Sequence, residues 1–265
     1  MKILYAARSD VGLKREDNED AYIIVQPGQV GALKERVMLF ALADGLGGHP
    51  CGEVASKMAC NAMEGFLDEL EGDPELIEKR LLKRFHEIDE NIRTLSGRKR
   101  ACRNMGTTLS AVVFSGHSAI IAHVGDSRVY RLRDDRMEQI TNDHTFLQEM
   151  IESGLLAPED SAVNHFRNKL TNTVGTDEPL ELVDTQRLEI VAGDRFLLSS
   201  DGLHDTVAFC DIKNTLQEVH DPEKAASHLL SLAIKNGGHD NITIIVIHFS
   251  YRSMDINRTS PLPQL

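Results

Sequence analysis

Residues 37–45 read VMLFALADG, an apolar run that ends in Asp44 followed by Gly45. A short apolar run bounded by turn residues predicts a buried β-strand, and the glycine permits a sharp turn directly after it. Residues 195–202, RFLLSSDG, repeat the arrangement, with Asp201 before the glycine. For a single Asp-Gly pair an ordinary turn is the simpler interpretation, so a functional one needs other aspartates in matching positions.

Two further aspartates also lie at predicted strand ends. Asp126 is in the short turn GDS between two apolar runs, and Asp240 directly precedes residues 242–249, ITIIVIHF. If these strands share sheets, the four carboxylates converge at one rim, where they repel one another unless cations neutralise them. Hard oxygen ligands favour magnesium or manganese over zinc. The four positions together therefore predict a site for divalent cations.

The remaining patterns predict one α+β domain in which helices cover sheets. Short turns predict hairpins from Phe114 to Ala119 and from Val124 to Val129, so sequential strands are expected to pair antiparallel. Residues 142–173 lack a strand signal and are expected to form a partly helical surface insertion, a candidate lid. Helical periodicity predicts helices over residues 53–70, 74–95 and 221–236. The predicted strands are residues 22–25, 37–43, 107–114, 119–124, 128–133, 195–199 and 242–249.

Composition and charge exclude several classes of function. The chain has 41 acidic and 29 basic residues, and its net charge of -12 disfavours binding to nucleic acid. No apolar run reaches membrane-spanning length, and the one at the amino terminus is too short for a signal peptide. The basic cluster at residues 98–103 has two open interpretations, a docking patch for a phosphorylated or acidic partner and a solvated loop.

The cysteines predict a reducing, cytoplasmic setting. They have neither CxxC pairing nor even spacing, which argues against a disulfide framework or a zinc knuckle. These residues are Cys51, Cys60, Cys102 and Cys210.

Short motifs rich in glycine, aspartate and threonine run through almost the whole chain. They are SDVG (9–12) with Arg15 and NED (18–20), ADGLGGH (43–49), MGTTL (105–109), VGDSR (124–128), RN (167–168) with GT (175–176), SDGL (200–203) and GGHDNIT (237–243). In this order they resemble the metal-dependent protein phosphatase family, also called type 2C, and in particular its bacterial branch. Each motif is weak alone, but the ordered set is specific.

The resemblance implies a fold and an activity. The fold is a four-layer α-β-β-α sandwich, in which two antiparallel sheets pack face to face between helices. The implied domain covers residues 1–250, with the flap of the family at about residues 142–173, and residues 251–265 form a flexible tail. The implied activity is hydrolysis of phosphoserine and phosphothreonine on proteins by direct attack of a metal-activated water. Phosphoproteins are then the substrates, and a bacterial Ser/Thr kinase is the opposing enzyme.

The resemblance also assigns roles to site residues. Two ions of manganese or magnesium are expected at the core site, and Asp126 matches a residue that, together with Asp201, holds a third ion in bacterial members. Arg15 matches the phosphate-binding arginine, whose planar fork of donors suits phosphoryl oxygens. The ligands of the two core ions are Asp44, the carbonyl of Gly45, Asp201 and Asp240, with Glu19 and Asp20 contributing directly or through water.

Two points leave alternatives open. Many eukaryotic members carry a histidine directly after the Asp-Gly turn, where this chain has Leu46, so the general acid is not assigned. His49 lies three positions further on and is either that acid or a solvated loop residue. His-Asp pairs at 204–205 and 239–240 suggest a helical phosphohydrolase, but the second abuts a strongly β-patterned run. The rival from another class is a catalytically silent module that binds phosphoproteins.

Overall fold

The computed structural model describes residues 1–26, 37–46, 51–69, 73–157 and 169–250. Its strands are β1 (Lys2–Asp10), β2 (Asp20–Val25), β3 (Val37–Asp44), β4 (Leu109–Ser115), β5 (Ser118–Val124), β6 (Arg128–Arg133), β7 (Arg136–Gln139), β8 (Asp184–Glu189), β9 (Arg195–Ser199) and β10 (Ile242–Ser250). Its α-helices are α1 (Gly52–Ala62), α2 (Pro74–Arg98), α3 (Phe146–Glu152), α4 (Asp201–His204), α5 (Phe209–Glu218) and α6 (Pro222–Lys235), and Phe66–Glu69 and Arg100–Cys102 form 3-10 turns.

The described strands form two antiparallel five-stranded sheets. The first has the order β1-β10-β9-β6-β7 and the second the order β2-β3-β4-β5-β8. Helices α1 and α2 pack on the second sheet, and α6 packs on strands β1 and β10 of the first. The expected α+β sandwich of four layers is therefore confirmed.

Strand β3 shows why its sequence is apolar at every position. Leu39, Ala41 and Ala43 pack in the cluster beneath α1 and α2. Phe40 and Leu42 point to the opposite face and pack against the other sheet. Because side chains alternate between faces and both faces are buried, the strand needs no polar position until its end.

Aromatic side chains fill the space between the sheets. The Phe114 ring of the second sheet lies 5.1 Å from the Phe196 ring and 4.9 Å from the Phe249 ring, both of the first sheet. The rings meet edge to face, the arrangement that the aromatic quadrupole favours. These contacts hold the two sheets at a fixed relative position, and with them the loops at their rims.

The predicted helix starts are confirmed where capping residues were present. The Asp73 carboxylate accepts a hydrogen bond from Leu76 N at 3.0 Å, and the Asp221 carboxylate accepts one from Glu223 N at 3.0 Å. Each aspartate precedes a proline, whose fixed φ suits the first turn. The helix predicted to run to residue 70 instead ends at Ala62, before a 3-10 turn, and residue 70 itself lies outside the described residues.

One of the two predicted hairpins is wrong. Strands β4 and β5 pair as expected, but β5 belongs to the second sheet, and β6 pairs with β7 and β9 in the first. Residues 125–127 therefore cross between sheets. Gly125 has φ 109°, and a Cβ there would come within 2.6 Å of the Thr108 side chain. A short turn with glycine looks the same in sequence whether it folds back or crosses over.

The cysteine prediction also needs correction, because Cys51 and Cys102 form a disulfide. The bond joins residues 51 positions apart, from the first turn of α1 to the turn after α2, which the absence of a CxxC spacing did not reveal. Cys60 and Cys210 are free thiols. None of the described helices is long and apolar enough to cross a membrane.

Candidate active site

The aspartates at the strand ends meet at one cavity. Asp44 is the last residue of β3, Asp201 follows β9, and Asp240 lies two residues before β10. Asp126 occupies the crossing between the sheets. These four line a cavity of about 420 Å³ together with Arg15, Gly45, Leu46, Thr108, Lys169, Leu170, Thr173 and Thr176.

Burial beside like charges raises the pKa values of Asp44, Asp126 and Asp201. The pKa values of Asp44 and Asp201 lie well above the usual range, first because of burial and then because each faces other carboxylates. Burial, together with Asp143 and Asp205, raises the pKa of Asp126 to about 7. Without a counter-ion the charged forms of these groups are disfavoured, and a nearby cation would reverse that preference.

Asp20 lies behind the cavity and does not line it. It stands opposite Asp44 in the register of β2 and β3. Its Oδ2 accepts a hydrogen bond from Ser200 Oγ at 2.8 Å, whereas Oδ1 is buried and has no hydrogen-bond partner among the described residues. Burial raises the pKa of Asp20 to about 6. A buried acceptor without a donor is costly, and a hard cation or its water would satisfy it.

Glu19 is also outside the cavity lining. Its Oε1 lies against Gly52 at the start of α1, where a Cβ would come within 2.7 Å of it. Burial raises its pKa. This position fits an indirect contribution to metal binding from behind Gly45. It does not place the Glu19 carboxylate beside the four cavity aspartates.

The turn at Gly45 is held by main-chain contacts. Gly45 N donates to Glu19 O at 3.1 Å, and a Cβ on Gly45 would come within 2.4 Å of Gly52 O. The Asp44 carbonyl accepts from Thr108 N at 2.8 Å and from Thr107 Oγ1 at 2.9 Å. No side chain fits at position 45, so the backbone after β3 packs directly against the start of α1 and is fixed at the cavity wall.

Arg15 enters the cavity from the side of β10. Its Nη2 donates to Asp240 Oδ2 at 2.7 Å, and its side chain is 39% exposed. The hydrogen bond to Asp240 raises the pKa of Arg15. The guanidinium is thus held beside the carboxylates with part of its donor set open to solvent.

The donor set fits hard divalent cations, although the present rotamers do not enclose one. No three carboxylate, imidazole or thiol groups within the described ranges are spaced as ligands of a single ion. The neighbouring carboxylates repel one another, and Asp240 is hydrogen-bonded to Arg15. The buried charges and the unpartnered oxygen of Asp20 are the features that a cation would relieve.

The segment predicted as the flap, residues 142–173, supplies residues that the sequence patterns did not single out. Lys169 lines the cavity, with its Nζ 5.3 Å from the centroid of the Phe146 ring. Leu170 and Thr173 line the same wall. Exposed lysines occur throughout the chain, so no sequence signal distinguished Lys169. Helix α3 confirms that the insertion is partly helical.

A histidine joins the flap to the crossing that carries Asp126. His144 N donates to Gly125 O at 2.8 Å, and His144 Nδ1 accepts from Gly125 N at 3.2 Å. His144 Nε2 donates to Asp184 Oδ2 at 3.1 Å. The flap is therefore tied to the cavity floor at its beginning. The motif residues 47–49 and 165–168, with the candidate acid His49, lie outside the described residues.

Comparisons with known proteins point to one family. A family model described as Protein phosphatase 2C matches residues 16–233. The serine/threonine protein phosphatase PstP of Mycobacterium tuberculosis is 38% identical over 265 residues, covering 97% of this chain and 47% of the relative, so the chain spans about half the length of that protein. The serine/threonine phosphatase stp of Listeria innocua is 34% identical over 243 residues, covering 91% of this chain and 93% of the relative.

A solved structure agrees with both sequence matches. The catalytic domain of the phosphatase PstP, in complex with two manganese ions, superposes with a TM-score of 0.79 at 35% identity. The match covers 94% of this chain and 99% of that one.

Proposed function

Because this chain belongs to the protein phosphatase 2C family, we propose that it hydrolyses phosphoserine and phosphothreonine on proteins with the aid of divalent cations. The observation that carries the proposal is the meeting of four aspartates from two sheets at one cavity. Such a cluster is costly without cations and is suited to binding them. Residues 1–250 form the proposed catalytic domain, with 142–173 as its flap and 251–265 as a tail.

The ions would be held from both sheets. We assign the two core ions to Asp44, the Gly45 carbonyl, Asp201 and Asp240, with Asp20 and Glu19 supporting from behind, and a third ion to Asp126 and Asp201. Manganese and magnesium both suit these oxygen ligands, and the similar domain of PstP holds two manganese ions. When bound, a pair of such ions lowers the pKa of a shared water and offsets the charge that develops on the phosphoryl oxygens.

Arg15 is placed to bind the phosphoryl group. Its donors reach the cavity, and the bond to Asp240 orients the guanidinium. Two parallel hydrogen bonds from one guanidinium fix both position and rotation of a phosphate, which a lysine does not do. Lys169, which also lines the cavity, adds a second positive charge for the substrate.

The proton for the departing serine or threonine oxygen does not come from the residue after the Asp-Gly turn. That residue is Leu46, which lines the cavity and has no proton to give. Among the described residues that line the cavity, none is a histidine. The exposed side of the cavity gives solvent access to the leaving oxygen, and no covalent phosphoenzyme is required.

The substrates and the opposing enzyme follow from this activity. We propose phosphoproteins as substrates, a Ser/Thr kinase as the opposing enzyme and the cytoplasm as the location. The competing function, a silent module that binds phosphoproteins, is disfavoured because every matched carboxylate and Arg15 are present.

Release of phosphate from a phosphothreonine peptide tests the proposal. Purified protein is assayed with manganese, with magnesium and with excess chelator. We expect turnover with metal that the chelator abolishes and that added metal restores. Binding of the peptide without turnover under any condition would instead support the silent module.

A further inference from the structure

Four cations are concentrated at the end of α2 and in the turn that follows it, in a chain whose net charge is -12. We call Arg98, Lys99, Arg100 and Arg103 the basic turn. All four are exposed. Several other arginines have carboxylate partners, such as Arg128 with Asp143, but no carboxylate of the described ranges pairs with any of these four.

The basic turn is close to the cavity along the chain. Three residues after Arg103, Gly106 O accepts a hydrogen bond from Leu46 N at 3.0 Å. A Cβ on Gly106 would come within 2.7 Å of the Thr176 side chain. Leu46 and Thr176 both line the cavity. At 3.8 Å per residue, Arg103 Cα lies at most about 11 Å from Gly106 Cα.

The backbone of the basic turn is held in place from several directions. Cys102 is bonded to Cys51, and Cys102 N donates to Lys99 O at 2.8 Å. Asn104 N donates to Ser96 Oγ at 2.8 Å, and Asn104 Oδ1 accepts from Asp177 N at 3.1 Å. Because the backbone is fixed, the four charges keep their positions on the surface near the cavity. Binding of a ligand to the basic turn therefore costs less conformational entropy.

Resting on the proposed function, we propose that the basic turn binds an acidic segment of the protein substrate, close in sequence to the phosphorylated residue. A phosphoprotein is anionic, and a chain of charge -12 repels it at long range. A local group of unpaired cations beside the cavity offsets this repulsion and favours substrates with acidic neighbours. An extended peptide advances about 3.3 Å per residue, so the acidic residues would lie about four to six positions from the phosphoresidue.

The position of the basic turn favours this occupant over a membrane surface or a nucleic acid. Both alternatives present broad anionic surfaces, which the rest of the acidic protein repels. A peptide can contact the basic turn and place its phosphoresidue in the cavity in the same complex, which links charge recognition to turnover.

The test compares three phosphothreonine peptides of equal length. One has glutamates four to six positions before the phosphothreonine, one has them after it, and one has glutamines at all these positions. Initial rates with manganese give kcat/KM for wild type and for the double variant Arg100→Gln/Arg103→Gln. The matched control is Lys224→Gln/Lys235→Gln, which removes two exposed charges from α6.

We expect wild type to prefer one of the acidic peptides over the neutral one by about three- to tenfold, and more at low salt. The basic-turn variant should lose this preference and keep its rate on the neutral peptide and on p-nitrophenyl phosphate, and the control should retain the preference. Equal preference in wild type and the basic-turn variant would overturn the inference.

Two further outcomes separate the alternatives. Absence of metal-dependent turnover of the neutral peptide and of p-nitrophenyl phosphate would overturn the proposed function, and the inference with it. Unchanged peptide selectivity combined with weaker sedimentation of the variant on phosphatidylglycerol vesicles would assign the basic turn to lipid headgroups and overturn the inference alone.

Discussion

Replacing Asp126 by asparagine should stabilise the metal-free protein at alkaline pH. Burial raises the pKa of this carboxyl from 3.8 to about 7. Well below pH 3.8 the Asp126 carboxyl is protonated in both the folded and the unfolded state, and its burial does not affect the free energy of unfolding through ionisation. As the pH rises towards 7, the carboxyl ionises in the unfolded chain but stays protonated in the folded protein. The free energy of unfolding therefore falls with pH, and the fall is complete above pH 7.

The size of the effect follows from the pKa difference. At 1.36 kcal/mol per pKa unit, the full penalty on the charged form is about 4 kcal/mol. Neighbouring carboxylates share the charge and water enters the cavity, so we expect about half of this, roughly 2 kcal/mol or about 4–8 °C in Tm. The main-chain N–H of Asp126 donates to its own carboxylate, and the amide oxygen of asparagine can accept the same hydrogen bond.

Urea unfolding with chelator at pH 5 and pH 8 measures the effect. The free energy of unfolding of Asp126→Asn should exceed that of wild type at pH 8, and by less than half as much at pH 5, because the penalty begins at the unfolded pKa of 3.8 and is complete only above pH 7. Asp134→Asn is the control, because Asp134 is exposed in a turn at φ 46°, where asparagine is also tolerated. A variant that is less stable than wild type at pH 8, or equally shifted at both pH values, would refute the reasoning.

Three further predictions follow from the site and the disulfide. Asp44→Ala and Asp201→Ala should each lower metal-dependent turnover at least about 100-fold, since each removes a ligand; near-normal kcat in either variant would contradict the assignment. Arg15→Ala should lower kcat/KM about ten- to a hundredfold, mainly through KM, because a charge-assisted hydrogen bond contributes about 1.5–3 kcal/mol; unchanged KM with lowered kcat would assign Arg15 another role. Reducing the Cys51–Cys102 bond opens a loop of 51 residues and should lower the free energy of unfolding by about 2–4 kcal/mol; equal denaturation midpoints with and without reductant would contradict this.

The sequence predicted the inner strands and missed most edge strands. All seven predicted strands exist, and the run at residues 37–43 was clear because both faces of β3 are buried. The missed strands β1, β7 and β8 lie at sheet edges. In β7 and β8 polar residues interrupt the apolar pattern, whereas the short apolar run of β1 at residues 3–7 was weighed only as a signal peptide. The sequence therefore predicted the inner strands of both sheets and only one of their four edge strands.

The same limit applies to the candidate site. Positions at strand ends predicted that Asp44, Asp126, Asp201 and Asp240 would converge, and they line one cavity. Lys169 also lines the cavity, but no sequence pattern marks it, because the position of a loop residue depends on tertiary contacts. The Cys51–Cys102 bond was missed for a similar reason, since pairing over 51 residues depends on how α1 and α2 pack.

The stoichiometry of bound manganese, measured together with turnover, tests the central claim most directly. Metal-free protein is titrated with manganese in equilibrium dialysis, and phosphate release from a phosphothreonine peptide is measured at each point. The account predicts that at least two ions bind per chain and that turnover rises as the second ion binds. Turnover without bound metal, or saturation with two ions and no turnover, would contradict it.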